Sequence, residues 1–193
     1  MNLFILRHAS AGTSRPNPLV DRKRPLDKEG KKHCLQLAAI LNNQKTQFDL
    51  IISSPLKRSL QTAQLLATET GYEAEIIHSD ALAPIATFKD FQKLLQTVSG
   101  NFPEKENILV VGHNPNLAIF LANLILPAPA AVVPKIRLRK GSLAHVTYGR
   151  GPAILQNLID PRVVRASFAA GTKRPRRKAA SRKPATRKKI TKK

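Results

Sequence analysis

Short apolar runs alternate with longer amphipathic stretches along the first 160 residues of this 193-residue chain. Compact apolar runs predict buried strands, and apolar positions spaced three or four residues apart predict helices. The predicted strands of this part are Asn2–Leu6, Phe48–Ile52, Glu73–Ile77 and Asn107–Val111, of which the third is the weakest. The predicted helices cover about residues 28–43, the stretch between Pro55 and Gly71, Thr87–Val98, and about Asn116–Leu126.

Polar and turn-forming residues mark the boundaries of these elements. Asp27 can cap the first helix, and Pro55 is predicted at the first turn of the second helix, where proline is favoured. Gly12–Pro25 contains three prolines and is predicted to be a loop.

The last two apolar runs differ from the others in their connection. Leu143–Tyr148 and Ala153–Ile159 flank Gly149-Arg150-Gly151-Pro152, a turn sequence that predicts a hairpin. Because repeated strand–helix units form parallel sheets, we predict an α/β fold of three α/β/α layers. Its central sheet is expected to be mostly parallel, with the hairpin as an antiparallel edge.

The formal charge of +21 divides the chain into two parts. Residues 1–165 have the composition of a folded domain, whereas from Gly171 onward Ile190 is the only large apolar residue. A segment of this kind buries too little apolar surface to offset its chain entropy, so residues 171–193 are predicted to be a disordered basic tail. Its lysines and arginines are Lys173, Arg174, Arg176, Arg177, Lys178, Arg182, Lys183, Arg187, Lys188, Lys189, Lys192 and Lys193.

Cysteine content and hydropathy exclude several classes of protein. Cys34 is the only cysteine, so neither an internal disulfide nor a cysteine-cluster metal site is available. Its apolar neighbours predict a buried, inert thiol. No apolar run is long enough to span a bilayer, and the first strand begins too close to Met1 for a leader peptide. We therefore expect a cytoplasmic protein that is not bound to a membrane.

Polar residues follow three of the predicted strands where each strand ends. The first strand ends in Arg7-His8, the second leads to Arg58 on the following helix, and the fourth runs into Gly112-His113-Asn114-Pro115. Parallel strands bring their carboxyl ends to one sheet edge, where ligands bind, and helix N-termini at that edge favour an anion. Two arginines and two histidines are therefore predicted to form one anion-binding pocket.

Three segments also carry a resemblance to a known family. Leu6-Arg7-His8-Ala9, Ser54-Pro55-Leu56-Lys57-Arg58-Ser59-Leu60-Gln61-Thr62-Ala63 and Val111-Gly112-His113-Asn114-Pro115 resemble, in order, the motifs of the histidine phosphatase superfamily, whose fold is phosphoglycerate mutase-like. The family's common motif is Arg-His-Gly. Ala9 in place of that glycine, the short domain and Arg24-Pro25-Leu26 before the first helix resemble the SixA-type phosphohistidine phosphatases.

The resemblance implies a role for each residue of the pocket. His8 would be the nucleophile and would become phosphorylated, and water would then hydrolyse the phosphohistidine. Arg7 and Arg58 would grip the phosphoryl oxygens, and His113 would complete the pocket as a donor. The resemblance implies no cofactor and no metal. The substrate would be a phosphohistidine-bearing protein of signal transduction, such as a phosphotransfer domain, or a small phosphorylated molecule.

The general acid is the least certain role. In the wider family a carboxylate follows the third strand, and Asp80 is the nearby candidate here, although a turn cap explains it equally well. A phosphoramidate needs less protonation of its leaving group than a phosphate ester does. A weak acid would therefore suit a phosphohistidine substrate.

The remaining polar residues are given structural roles. His33 is predicted at an exposed helical position, His78 at the end of the third strand and His145 within the hairpin. Asp21–Arg24 is interpreted as a solvated loop that could shape the mouth of the site. The short chain leaves no room for a large lid, so we predict an open, shallow site suited to a protein surface.

The basic tail opens two alternatives to a protein phosphatase. Its charge favours polyanions such as nucleic acid or polyphosphate, with strong salt dependence, and a nucleoid-associated location would follow. A solubilising tail, or a nuclear-localisation signal in a eukaryote, fits the same composition. The protein could thus be a phosphatase localised by its tail, a phosphatase of small molecules, or a nucleic-acid-binding protein whose phosphatase body is secondary.

Truncation after Ala170 tests the role of the tail. We expect the shortened protein to lose salt-sensitive retention on DNA, because the cations that release counterions are gone. Turnover of a small chromogenic phosphate ester should stay unchanged. Retention on DNA that survives the truncation would contradict the prediction.

Overall fold

The predicted strands pair into one six-stranded sheet in the described part of the chain. The structure is a computed structural model, and it describes residues 1–126 and 135–172. The strands lie in the order β3-β2-β4-β1-β5-β6. Their bounds are β1 Asn2–Arg7, β2 Leu50–Ser53, β3 Ile77–His78, β4 Asn107–Gly112, β5 Leu143–Thr147 and β6 Ile154–Ile159.

Strand direction confirms the predicted fold class. The neighbours β3, β2, β4 and β1 are parallel, whereas β5 pairs antiparallel with β1 and β6 pairs antiparallel with β5. The hairpin therefore forms the predicted antiparallel edge. The helices of the described residues are α1 Pro18–Arg22, α2 Lys28–Asn43, α3 Lys57–Thr70, α4 Phe88–Asn101, α5 Asn116–Ile125 and α6 Pro161–Thr172, with a 3-10 turn at Asp80–Leu82.

Two apolar cores lie on opposite faces of the sheet because strand side chains alternate between the faces. In β1, Leu3 and Ile5 pack into the core that α4 and α5 cover, and Phe4 and Leu6 pack into the core that α2 and α3 cover. All four side chains are buried. This arrangement gives the predicted three layers and fixes β1 and β4 at the centre of the molecule.

Asp27 links the loop after β1 to the start of α2. Its Oδ1 accepts a hydrogen bond from the Gly30 amide at 2.7 Å, which is the predicted N-cap. Its Oδ2 accepts from the Ser10 hydroxyl at 2.6 Å and from the Gly12 amide at 2.7 Å. One carboxylate thus fixes the chain just beyond Arg7-His8 against the helix.

Three boundaries differ from the sequence prediction. The third strand is only Ile77–His78, because Glu73–Glu75 lie exposed outside the sheet. Pro55 lies outside α3, because Leu56 is the extended N-cap and its carbonyl accepts the first helical bond, from Ser59, at 2.8 Å. The predicted loop at 12–25 contains the short helix α1, which Asn17 caps.

The helix α6 was not predicted from the sequence. Val164 is its buried anchor, and the helix packs against α2. Asp160 accepts a hydrogen bond from the Arg162 amide at 2.8 Å, and Pro161 follows it. The sequence Asp160-Pro161 therefore indicates the start of a helix. The helix crosses the predicted domain boundary at 165 and includes residues 171 and 172. A truncation after Thr172 would leave it whole.

The basic residues predicted to bind polyanions, from Lys173 to Lys193, lie outside the described residues. Over residues 1–126 and 135–172, no helix is both long and apolar enough to cross a membrane.

Gly30 is a position where the fold leaves no space for a methyl group. A Cβ there would lie 2.0 Å from the Ser10 carbonyl oxygen. We expect Gly30→Ala to lower the free energy of unfolding by about 1–3 kcal/mol, as measured by urea unfolding. Gly100→Ala is the matched control: it also lies in a helix, and a Cβ there meets nothing within 4 Å. That variant should be as stable as the wild type or slightly more so. Equal stability of the two variants would contradict the prediction.

Candidate active site

His8 lies at the carboxyl end of β1 and is almost fully buried, at 5% exposure. Its amide donates to the Gly112 carbonyl at 3.0 Å, which continues the pairing of β1 with β4. The ring Nδ1 lies 2.8 Å from the Ala9 carbonyl oxygen. Since a carbonyl only accepts, Nδ1 carries the proton of the neutral ring and Nε2 has the free electron pair. No hydrogen bond from a described residue occupies Nε2.

The surroundings of His8 keep its ring neutral. Burial lowers the pKa of His8 to about 3. Nearby positive charges act in the same direction and belong to Arg58, Arg7 and Lys140. A neutral imidazole with a free nitrogen beside cations is suited to attack a bound, negatively charged phosphoryl group.

His113 faces His8 across the sheet edge, with ring centroids 4.9 Å apart. Its Nε2 lies 2.9 Å from the Ser54 hydroxyl and 3.1 Å from the Ser59 hydroxyl. The Ser54 oxygen also accepts from the Leu56 amide at 3.4 Å, which leaves its hydrogen free to point at Nε2. In the tautomer in which Nε2 accepts from Ser54, Nδ1 of His113 carries the ring proton, and this buried atom has no partner among the described residues.

The ring of His113 is also neutral. Burial lowers its pKa to about 2, and the adjacent His8 and the charges of Arg58 and Arg7 contribute in the same direction. Neutral His113 keeps one N–H donor for an anion. Ser54 and Ser59 belong to the second motif, but their contact with His113 was not foreseen from the sequence.

Arg58 lies in the first turn of α3 and is held from two sides. Its Nη1 donates to the Asp21 carbonyl at 3.0 Å and to the Asp21 carboxylate at 3.2 Å. The Thr62 hydroxyl donates to the Arg58 carbonyl at 2.7 Å and accepts from the Ala9 amide at 3.1 Å. The helix turn that carries Arg58 is thereby joined to the chain beside His8. Nε of Arg58 is buried and has no hydrogen-bond partner in the described part of the chain.

Asp21 and Arg24 are more than the solvated loop that the sequence predicted. Asp21 accepts from Arg24 Nε at 2.8 Å as well as from Arg58. Arg24 in turn donates to the Ala11 carbonyl at 2.6 Å. The hydrogen bond from Arg24 lowers the pKa of Asp21 to about 2. This loop therefore places an ionised carboxylate against the arginine of the second motif.

Arg7 forms the opposite wall of the site. Its Nη1 donates to the Leu138 carbonyl at 2.8 Å, and its buried Nε has no partner within residues 1–126 and 135–172. Arg7 also lines an open cleft of about 660 Å³ on the side of residues 135–140. Arg7, His8, Arg58 and His113 thus meet at one sheet edge, as the strand-end pattern predicted. Their catalytic roles stay predictions.

Asp80, the predicted acid, lies exposed in the 3-10 turn after β3. Its carboxylate forms no hydrogen bond or ion pair with any described residue. The cap of this turn is Ser79, whose hydroxyl accepts from the Ala81 amide at 3.3 Å. The role of Asp80 as an acid stays a prediction.

His33 is buried, and the prediction of an exposed position was wrong. Its Nε2 donates to the Gly141 carbonyl at 2.9 Å. The Gly141 amide donates to the Arg7 and His8 carbonyls at 3.0 and 3.1 Å. Gly141 has a φ of +84°, and a Cβ there would lie 2.3 Å from the His33 ring. His33 thus supports the turn that closes the end of β1.

The other predicted structural residues lie as follows. Cys34 is buried as predicted, and burial raises the pKa of its thiol to about 12. His78 ends β3 and is exposed. His145 lies in β5, and its ring stacks on Phe4 with centroids 4.3 Å apart. Lys140, whose charge acts on His8, was missed because only the fold brings residues 135–140 to the site.

The fold and the two-arginine, two-histidine site define a class of α/β proteins that bind an anion at the carboxyl edge of a parallel sheet. Residues 3–103, just over half of the chain, match the family model of the histidine phosphatase superfamily (branch 1). The chain belongs to that superfamily, and it is an enzyme of the phosphatase class.

Known proteins resemble the chain in sequence or in fold. An uncharacterised protein of Picosynechococcus sp. is 31% identical over 118 residues, which cover 61% of this chain and 68% of that protein. The solved structure of the protein histidine phosphatase SixA with tungstate has a TM-score of 0.72 at 22% identity and covers 85% of this chain and 99% of that one. The α-ribazole phosphatase of Shigella flexneri has a TM-score of 0.66 at 18% identity, with 83% and 97% covered. These two structures show the same fold.

The neutral state of the two histidines predicts an acid-sensitive stability. The pKa values of His8 and His113 in the folded protein lie below the value near 6.5 of an unfolded chain. Between these values the unfolded chain binds protons that the folded protein does not, so stability is lost as the pH falls below 6.5. At pH 5 each of the two histidines lowers the free energy of unfolding by about 2 kcal/mol.

We therefore expect the free energy of unfolding, measured with urea, to fall less in His8→Asn than in the wild type when the pH is lowered from 7.5 to 5. The fall in the variant should be smaller by about 2 kcal/mol. Leu37→Ala, which removes buried apolar volume and no titratable group, should keep the pH dependence of the wild type. An unchanged pH dependence in His8→Asn would show that His8 has the same pKa in the folded and unfolded states, which would contradict the prediction.

Proposed function

We propose that this protein is a metal-independent phosphatase that works through a phosphohistidine at His8, with a phosphohistidine-bearing protein as its substrate. The observation that carries the proposal is the state of His8: Nδ1 is engaged by the Ala9 carbonyl, and Nε2 is left as a neutral, free nucleophile. Around it lie Arg7, Arg58 and His113, which are the donors that a phosphoryl group needs.

Each residue has a defined part in the proposed reaction. His8 Nε2 attacks phosphorus, the bond from phosphorus to the substrate's nitrogen breaks, and the leaving imidazole keeps the electron pair of that bond. Arg7 and Arg58 hold the charge on the equatorial oxygens, and His113 Nδ1–H donates to one of them. Water then attacks phosphorus, the bond to Nε2 breaks, and inorganic phosphate leaves with neutral His8 restored.

The acids near the site support a phosphoramidate substrate. Asp21 is held ionised by Arg24 and Arg58, and a carboxyl with a pKa near 2 is a poor proton donor at neutral pH. Asp80 lies exposed in its turn. An imidazole leaving group that is already protonated needs no such donor, whereas an alkoxide does. The likeness to SixA in fold agrees with this assignment.

A phosphatase of small molecules is the second candidate. The fold is shared with an α-ribazole phosphatase, so the scaffold itself does not decide between a protein and a metabolite. The basic tail adds a separate proposal, namely that residues 173–193 localise the enzyme on a polyanion such as nucleic acid or polyphosphate. A protein whose main role is nucleic-acid binding would keep that role without a working His8.

A panel of substrates combined with trapping of the intermediate tests the proposal. We expect the wild type to release phosphate from a phosphohistidine protein with a kcat/KM at least about tenfold above that for sugar phosphates, a difference of about 1.4 kcal/mol in transition-state binding. Acid-labile but base-stable label should appear on His8 after a rapid quench. His8→Ala should abolish both turnover and label.

His78→Ala is a suitable control, because it removes an exposed histidine at the end of β3 that is outside the proposed catalytic set. It should keep the label on His8. Full turnover by His8→Ala would overturn the nucleophile assignment. A preference for sugar phosphates would instead establish the small-molecule phosphatase.

A further inference from the structure

The cleft beside Arg7 carries a concentration of positive charge, of which the proposed phosphoryl chemistry uses Arg7 alone. It has a volume of about 660 Å³, and its walls come from four parts of the chain: the end of β1 with the loop after it, Asn114 after β4, residues 135–140 and the start of α6. Its cationic side chains are Arg7, Lys135, Arg137, Arg139, Lys140 and Arg165. No aspartate or glutamate lies among the residues that line it.

Most of this charge is not neutralised within the described residues. Arg139 pairs with Asp160, but none of the other five cations of the cleft forms an ion pair with a described carboxylate. Lys135, Arg137, Lys140 and Arg165 are exposed. Like charges gathered on one wall repel one another, so an anion from outside would relieve them.

The segment 135–140 is held rigidly next to the active site. Leu138 is buried at 1% exposure and anchors the segment in the core. Its carbonyl accepts from Arg7 Nη1 at 2.8 Å and from Asn114 Nδ2 at 2.9 Å. Because polar and apolar residues alternate here, Lys135 and Arg137 are exposed on either side of the half-buried Ile136.

We propose that this cleft binds carboxylates on the surface of the protein that presents the phosphohistidine, so that the enzyme selects acidic substrate proteins. The proposal rests on the proposed function and names the recognition surface of the same site. Small-molecule pockets are mostly apolar with a few polar groups, whereas this cleft is open and lined largely by cations. Long, exposed lysine and arginine side chains suit carboxylates that are spread over a protein surface.

The charge of Lys140 connects the cleft to the nucleophile. It acts on His8 and on Asp27, and its Nζ donates to the Gly12 carbonyl at 3.3 Å. A carboxylate bound between Lys135 and Arg137 would therefore hold its protein against the mouth of the phosphate pocket. This contact would favour the encounter of the enzyme with its substrate protein and the orientation of that protein. Loss of the contact should therefore raise KM and leave kcat unchanged.

The test uses the full chain and the double variant Lys135→Glu/Arg137→Glu, in which neither residue belongs to the proposed catalytic set. The substrates are an acidic phosphohistidine protein, the same protein with its surface carboxylates changed to amides, and phosphoimidazole. The matched control is Lys45→Glu/Lys93→Glu, which makes the same change of charge at two exposed positions away from the cleft.

We expect the cleft variant to lose about tenfold or more in kcat/KM on the acidic protein, through KM. For the protein whose carboxylates are changed to amides, and for phosphoimidazole, the loss in kcat/KM should be less than about twofold. For the acidic protein, kcat/KM should depend less on salt concentration in the variant than in the wild type. The control should behave like the wild type, and the tail contributes equally to all variants. Equal losses on the acidic and amide proteins would overturn the proposal.

A binding experiment separates failure of this proposal from failure of the proposed function. Fluorescence anisotropy with the unphosphorylated acidic protein needs no turnover, and the cleft variant should bind it about tenfold more weakly. If the wild type hydrolyses no phosphohistidine but binds this protein through the cleft, only the proposed substrate fails. If the variant loses binding of polyphosphate and keeps that of the acidic protein, the cleft is a site for small polyanions and the proposal is wrong.

Discussion

Parallel pairing of β4 with β1 on one side and β2 on the other is the constraint on which the site depends. In this register Arg7 lies opposite Gly112, and Ser53 lies opposite Val111. The next residues of β1 and β4, His8 and His113, therefore leave the sheet at the same level, and Ser54 lies one residue before that level. A slip of one residue in the pairing of β1 with β4 would turn the side chains of one strand to the other face and separate the two imidazoles.

The electrostatics of the site follow from this convergence. Arg7, Arg58 and two buried histidines lie close together, and the carboxylate that contacts this group among the described residues is Asp21. Charging an imidazole there would add a cation to a buried cationic group, so both rings stay neutral. The same feature that suits His8 to its proposed role as nucleophile also makes it costly to the fold at acidic pH. Function and stability are thus opposed at His8.

Much of the fold could be predicted because it depends on local patterns. Strands β1 and β4 are continuous apolar runs, so the sheet and the ends of its strands could be predicted from the sequence. Asp27 likewise marked the start of α2. What the sequence did not show depends on distant contacts. His33 follows two lysines in a helix, and these neighbours indicated a solvent-facing position, yet the turn at Gly141 covers it. Lys140 and Asp21 likewise reach the site through segments whose paths only the fold determines.

The buried donors of the site show how far it is preorganised. Nε of Arg7, Nε of Arg58 and Nδ1 of His113 are all buried without partners among the described residues. Leaving a buried donor unpaired costs about 1–3 kcal/mol, and the fold holds three of them at one sheet edge. An oxyanion that brings several acceptor oxygens recovers this cost, and it does so most fully when its charge is greatest. Binding and stabilisation of a phosphoryl group in transfer therefore draw on the same unsatisfied donors.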